Sequence, residues 1–358
     1  MRTASKLTRK LRNILAAVFF IVTISAAAAQ QACAESAMTK LAEGVYEIQH
    51  EPNGNTTVII GDRQVLVVDT CFLPSAARED IAQIRKWTDK PVSFVLNTHF
   101  HNDHNFGNRV YMDAFPAVTV IAHTETKKEM DLFGPSSARR EGQTAIEYQK
   151  MLDGGKAPDG SALTDDDRAQ LKKAIARVLA RTEELKSIQF QSATLTFDHD
   201  FTIDLGHREV QVKFLGRGNT GGDAVAYLPK EQIVITGDLV VAPIPYIYDG
   251  YPTEWVQTLQ NLAQLNADTI VPGHGPVMHD KAKIYLIRDY LQSAVEQMNV
   301  KLEQTGPAMF QTLDDVKSGV DLTPFRTKFI GDDKTLADEF DDASAHLVKV
   351  VFEEASLR

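Results

Sequence analysis

The six residues His99-Phe100-His101-Asn102-Asp103-His104 constrain this chain more than any other stretch. Three imidazoles and a carboxylate packed so closely are costly to bury unless something pairs them. A cation is the natural partner. His99 and His101 stand two residues apart at the end of a predicted strand, Val92–Asn97, so both side chains can leave the same face. Asp103 and His104 follow at once on a turn. Two of these donors serve one ion and two serve a second, and hydrolytic metals take about four to six ligands. Further donors must therefore come from elsewhere. Asp238, in Ile235-Thr236-Gly237-Asp238, and His274, in Val271-Pro272-Gly273-His274-Gly275, both lie at predicted strand ends and meet that need. The glycines beside His274 allow the backbone to approach closely.

The surrounding pattern is one of short strands and intervening helices. Val45–Gln49, Thr56–Ile60, Gln64–Asp69 and Val118–Ala122 are rich in Val and Ile. Ala224–Leu228 and Gln232–Thr236 read as a hairpin across Pro229-Lys230-Glu231. Pro74-Ser75 opens a helix to about Trp87, and Thr253 is placed to cap another running to about Leu265. Residues from about 124 to 188 are helical and charged. Thr164 with Asp167 forms a partial capping box there, and Leu171, Ile175 and Leu179 form an apolar stripe. We read this stretch as a helical insertion in a domain spanning 35–280, with a C-terminal helical region, 281–358, packed on that domain. The alternation predicts an α/β architecture of sheets covered by helices.

The first 34 residues stand apart. Arg2, Lys6, Arg9, Lys10 and Arg12 precede an apolar run from Ile14 to Ala29 and then Ala32-Cys33-Ala34. This is the pattern of a secretory signal peptide, cut after Ala34 or Ala29. The rival reading, an uncleaved anchor, needs a longer and bulkier run. The sequence thus predicts an exported protein, periplasmic or secreted, with no stable membrane insertion after cleavage. Cleavage takes five basic residues from a chain of net charge -10, leaving -15. So acidic a protein lacks the Lys and Arg needed to displace counterions from nucleic acid, which is excluded as a partner. After a cut at Ala34, Cys71 would be the one remaining thiol, and a single thiol closes no internal disulfide. It reads as a buried inert residue.

The motif His99–His104 resembles that of the metallo-β-lactamase-fold hydrolase superfamily. Asp69 in Val67-Val68-Asp69-Thr70, Thr236-Gly237-Asp238 and Gly273-His274-Gly275 extend the resemblance, which runs from about Val45 to His279. It implies an αββα sandwich of two mixed sheets with the site at one edge. It also implies two metal ions: His99 and His101 on the first, Asp103, His104 and His274 on the second, and Asp238 between them. Asp69 would sit behind the ligands and fix an imidazole. The family pattern Gly-x-x-His-Thr-x-Gly-Asp appears here as Gly216-Arg217-Gly218-Asn219-Thr220-Gly221-Gly222-Asp223, so Asn219 replaces the third histidine of the first ion. An amide oxygen binds zinc far more weakly than imidazole. We therefore expect a tight second site and a weak first one, holding one or two Zn ions per chain, with Mn or Fe as alternatives.

The expected chemistry is hydrolysis of a small ester, thioester, lactone or amide, with Asp103 and Asp238 orienting water and moving its proton. Most true β-lactamases of the family carry Cys or Ser where this chain has Asp238. The branch implied is glyoxalase-II-like as much as β-lactamase-like. Tyr246 and Tyr248, in a Pro- and Tyr-rich loop after Asp238, are candidates for a substrate-pocket wall. The competing reading is a non-hydrolytic periplasmic metal-binding accessory or redox-relay protein on the same scaffold, motivated by Asn219. No Gly-x-Ser-x-Gly elbow supports a serine nucleophile.

Overall fold

The computed structural model describes residues 37–157 and 160–357. The stretch read from the sequence as a signal peptide, 1–34, lies outside the described residues. Among the described residues, no helix is long and apolar enough to cross a membrane.

Two sheets form the centre of the larger of two compact units, which comprises the described residues up to Gly134 and from Phe190 onward. The first sheet has seven strands in sequence order: β1 (Met38–Ala42), β2 (Val45–His50), β3 (Asn53–Ile60), β4 (Val65–Val68), β5 (Val92–Leu96), β6 (Thr119–His123) and β7 (Leu195–Phe197). β1 to β4 pair antiparallel through short turns. β4 to β7 pair parallel, since helical connections return the chain to the same end. The second sheet runs in the order β12 (Thr269–Val271), β11 (Ile233–Ile235), β10 (Ala224–Leu228), β9 (Glu209–Phe214), β8 (Phe201–Asp204). The hairpin expected at Pro229–Glu231 is there, with Ala226 opposite Ile235 and Leu228 opposite Ile233.

The two-residue period of a strand decides what each sheet covers. On β10, Ala226 and Leu228 join Ile59, Leu66, Val68, Leu96 and Ile121 of the first sheet in one core between the sheets. The alternate residues Val225 and Tyr227 face a second core with Trp255, Leu259, Ile287, Tyr290 and Leu347. These come from helices Pro252–Gln264, Ala282–Thr305 and Ala337–Ser356, so the C-terminal helices cover the second sheet. The first sheet is buried on both faces as well, with Val58, Val65, Val67, Val95 and Val120 fully buried. Helix Pro74–Trp87 buries Ala77, Ile81 and Ile84 and packs on helix Asn108–Ala114. Each fully buried Val or Ile side chain contributes about 1.5–3 kcal/mol. The architecture is an αββα sandwich.

Four local readings change. β1 was not foreseen from the sequence. Helix Pro252–Gln264 is preceded by Tyr251 at its cap, and Thr253 instead bonds through its N–H and hydroxyl to Glu354 on the C-terminal helix. Helix Thr124–Phe133 belongs to the larger unit, so the separate helical unit is Pro135–Gln189. Within that unit, helices Ser137–Gly154 and Asp165–Lys186 pack through Ala145, Tyr148, Leu171 and Val178. The full Thr164–Asp167 capping box starts the second helix, and Leu179 is about half exposed rather than part of the stripe.

Candidate metal centre

Six of the sequence-selected residues converge at one end of the two sheets. β5 ends at Leu96, and Asn97 to His101 continue over its C-terminal edge. A short helix, Asn102–Asn105, then carries Asp103 and His104. From the second sheet, Asp238 follows β11 and His274 follows β12, and these two strands are parallel neighbours. Asn55 of β3 donates its N–H to Gly273 O at 2.8 Å, which ties the two sheets together at this edge.

The donor atoms fall into two overlapping groups. His274 Nε2 lies 3.1 Å from Asp103 Oδ2 and 3.2 Å from His104 Nε2. Asp238 Oδ1 lies 3.3 Å from His104 Nε2 and 3.6 Å from His274 Nε2. Its other oxygen, Oδ2, lies 3.6 Å from His99 Nε2. His99 Nε2 is in turn 3.0 Å from His101 Nδ1. Asp238 therefore turns one oxygen to each group. Ligands about 2.0–2.2 Å from a tetrahedral ion stand about 3.2–3.6 Å apart, which matches these separations.

Two further observations fit a cation. Asp238 Oδ1 is buried and makes no hydrogen bond despite its imidazole neighbours. A carboxylate oxygen so placed is costly without a partner. The backbone has also been cleared around the donors: a Cβ at Gly273 would lie 1.9 Å from Asp238 Oδ1, and one at Gly54 would lie 2.4 Å from the His104 ring. The residues present fit divalent metal.

The electrostatics follow from burial of opposite charges. Burial and then the charge of His104 hold His99 well below the usual imidazole range, so it is neutral. Burial opposes the charged form of His104, but Asp238, Asp103 and Asp69 together raise it well above that range. Burial likewise opposes ionisation of Asp103 and Asp238, and the facing histidines overcome it and keep both ionised. Protons thus do at this cluster what a cation would do, and metal must displace them.

Outer partners aim each ring. Asp69 Oδ2 is 2.8 Å from His104 Nδ1, leaving Nε2 for the site. The same carboxylate accepts from Thr98 N and Thr98 Oγ1 at 2.8 and 2.7 Å. Thr98 Oγ1 is also 3.0 Å from His99 Nδ1. Asp69 and Cys71 both have positive φ, near 59° and 55°. Such backbone costs about 1–3 kcal/mol per non-glycine residue. It is held by bonds from Asp69 N to Leu96 O, Thr70 N to His104 O and Gly107 N to Cys71 O. Replacing Asp69→Asn should lower metal affinity by about 10–100-fold, the usual effect of losing an outer carboxylate. Titration with zinc against a chelating indicator measures this. An unchanged affinity would show that Asp69 serves only the fold.

Sequence reasoning missed Asp249, whose Oδ2 lies 3.2 Å from His101 Nε2, on the far side of the ring from His99. Asp249 sits one residue beyond Tyr248 in the loop already singled out, so its place in that loop was the available signal. Asn219 is fully buried. Its Nδ2 donates to Tyr246 O at 2.6 Å, and its Oδ1 has no hydrogen-bond partner. Ala224 N bonds Thr98 O, which lays the Asn219 loop beside the strand end bearing His99. The Tyr246 ring is 5.5 Å from that of His274, whereas Tyr248 packs on His346 at 4.3 Å. Arg217 pairs with Glu254 and lies over the Tyr251 ring. His123 caps helix Thr124–Phe133 and stacks on Phe214.

A sandwich of this topology with histidines and aspartates gathered at one edge is the arrangement of a hydrolase family. The profile of the metallo-beta-lactamase superfamily matches residues 51–274, and the chain belongs to that family. It is 24% identical over 238 residues to a linear primary-alkylsulfatase of Pseudomonas sp. (strain ATCC 19151), covering 62% of this chain and 41% of that protein. The match thus spans about two fifths of the alkylsulfatase. It is 22% identical over 205 residues to a type 2 metallo-beta-lactamase of Elizabethkingia meningoseptica, covering 54% of this chain and 78% of that one. A solved metallo-beta-lactamase from Pontibacter korlensis superposes with a TM-score of 0.49 at 19% identity, over 72% of this chain and 99% of that one.

Proposed function

We propose that this chain is an exported metal-dependent hydrolase. The observation that carries the reading is the meeting of His104 Nε2, His274 Nε2, Asp103 Oδ2 and Asp238 Oδ1 within 3.1–3.6 Å. Asp103, His104 and His274 would hold one divalent ion, zinc in the first instance. His99, His101 and the Asn219 amide oxygen would hold another more weakly, with Asp238 shared. Such ions supply Lewis-acid chemistry, bringing the pKa of water from about 15.7 towards 7. The rest falls to the chain's own side chains. Asp103, about one third exposed, can take up a proton from the solvent side, while buried Asp238 fixes direction. Asp69 and Asp249 hold the His104 and His101 rings in place. Tyr246, whose ring lies beside that of His274, would form part of the substrate wall, while Tyr248 packs on His346.

The substrate is a small molecule with a hydrolysable ester, thioester, lactone or amide, the β-lactam amide among them. The alkylsulfatase relative adds a sulfate ester to that set. The chain purified without chelator should contain zinc, and one of these classes should turn over. Prolonged treatment with a strong chelator should abolish turnover, and Zn or Mn should restore it. A preparation that binds no metal, or that hydrolyses none of these classes when loaded, would end the proposal.

A further inference from the structure

A second cluster of metal-ligand type lies behind the loop that carries Asp69. His50 ends β2, Cys71 sits in the loop after β4, and Asp80 is on helix Pro74–Trp87. All three are buried, at 8%, 0% and 1% exposure. His50 Nε2 is 3.0 Å from Asp80 Oδ2, and Cys71 Sγ is 4.0 Å from the same oxygen. One donor atom from each residue lies within 4.8 Å of the others. Bonds of about 2.0–2.3 Å from a tetrahedral ion place its ligand atoms about 3.2–3.8 Å apart, so only small side-chain shifts separate this cluster from a coordination set.

A fourth group gives an independent sign. Tyr111, on helix Asn108–Ala114, is fully buried, and its hydroxyl has no hydrogen-bond partner. Burial pushes that hydroxyl well above the usual phenol range, and the charges of Asp80 and Cys71 add to the rise. Buried phenols ordinarily find a partner. A plain His50–Asp80 hydrogen bond accounts for two of the groups and leaves this hydroxyl unexplained. A dication accounts for all four: thiolate and carboxylate neutralise it, and imidazole and phenol oxygen are neutral donors.

We propose that His50, Cys71 and Asp80, with the Tyr111 hydroxyl completing the set, form a structural divalent-metal site, selective for zinc, separate from the hydrolase centre. Its place explains its use. It joins β2, the loop bearing Asp69 and Cys71, and two helices that cover the first sheet. Its metal would fix the strained loop from which Asp69 reaches His104. The inference does not rest on the hydrolase reading, because the two centres share no ligand.

The thiolate makes the site separately observable, since the other centre offers only nitrogen and oxygen donors. The sequence contains two cysteines, so the full chain carrying Cys33→Ser has Cys71 as its one thiol. X-ray absorption on this zinc-loaded chain should show a sulfur shell at about 2.3 Å beside the nitrogen and oxygen scatterers. Cobalt loading should give thiolate-to-cobalt charge-transfer absorption, lost in Cys33→Ser/Cys71→Ser while the d–d bands of the other centre persist. A zinc spectrum with nitrogen and oxygen scatterers only would overturn the proposal. So would charge-transfer absorption that survives loss of Cys71. If the double variant fails to fold, the absorption spectrum of the Cys33→Ser chain decides alone.

Discussion

Asp238→Asn should be the most damaging single substitution in the protein's chemistry, with hydrolysis reduced by about 10²–10⁴-fold, the range for losing a group that directs proton transfer. The reason lies in its two oxygens. One faces His104 and His274, the other faces His99, and the residue is 2% exposed. An amide keeps the shape and removes the charge. It also turns an N–H₂ towards one of the two donor groups, where a donor is repelled by any cation. Both ions should therefore bind more weakly, and metal content should fall together with rate. Asp103→Asn should lower the rate with a smaller loss of metal, because Asp103 contacts one group only. Metal analysis alongside steady-state rates separates the two variants. If Asp238→Asn retains full metal content and rate, Asp238 is not the shared ligand.

How much of this was legible in the sequence follows from what kind of signal each feature leaves. The cluster His99–His104 is local, and its chemistry is written in adjacent letters. Asp238 and His274 were legible because each follows a short aliphatic strand and neighbours a glycine. The sandwich followed from period-two burial, seen on β10, where Ala226 and Leu228 face one core and Val225 and Tyr227 the other. The outer partners were mostly hidden. Asp249 reaches His101 across 148 positions of sequence, and no spacing announces that approach. Gly54 carries no mark of the His104 ring that excludes its side chain. Thr253 has the right type and position for a cap, yet Glu354 from the C-terminal helix captures its hydroxyl. Cys71 reads as inert when taken singly. It becomes a candidate ligand only when the fold sets it beside His50 and Asp80.

Asn219→His should have the opposite effect, strengthening the weaker metal position. His99 and His101 already present Nε2 and Nδ1 to each other at 3.0 Å, and the loop bearing Asn219 lies beside that strand end. An imidazole from the loop would replace an amide oxygen, a much poorer donor for zinc. Affinity at that position should rise by at least the 10–100-fold that even an outer partner is worth. The apo protein should pay a penalty. The bond from Asn219 Nδ2 to Tyr246 O is lost, about 1 kcal/mol, and a larger ring enters a fully buried place, about 1–3 kcal/mol. Zinc at 100 times its dissociation constant returns about 2.7 kcal/mol. The variant should thus melt below the parent without metal, and zinc should narrow that gap. Zinc titration together with melting curves of both forms tests this. A first-site affinity unchanged by the new histidine would show that residue 219 does not face His99 and His101, and the expectation of an uneven pair of metal sites would fall with it.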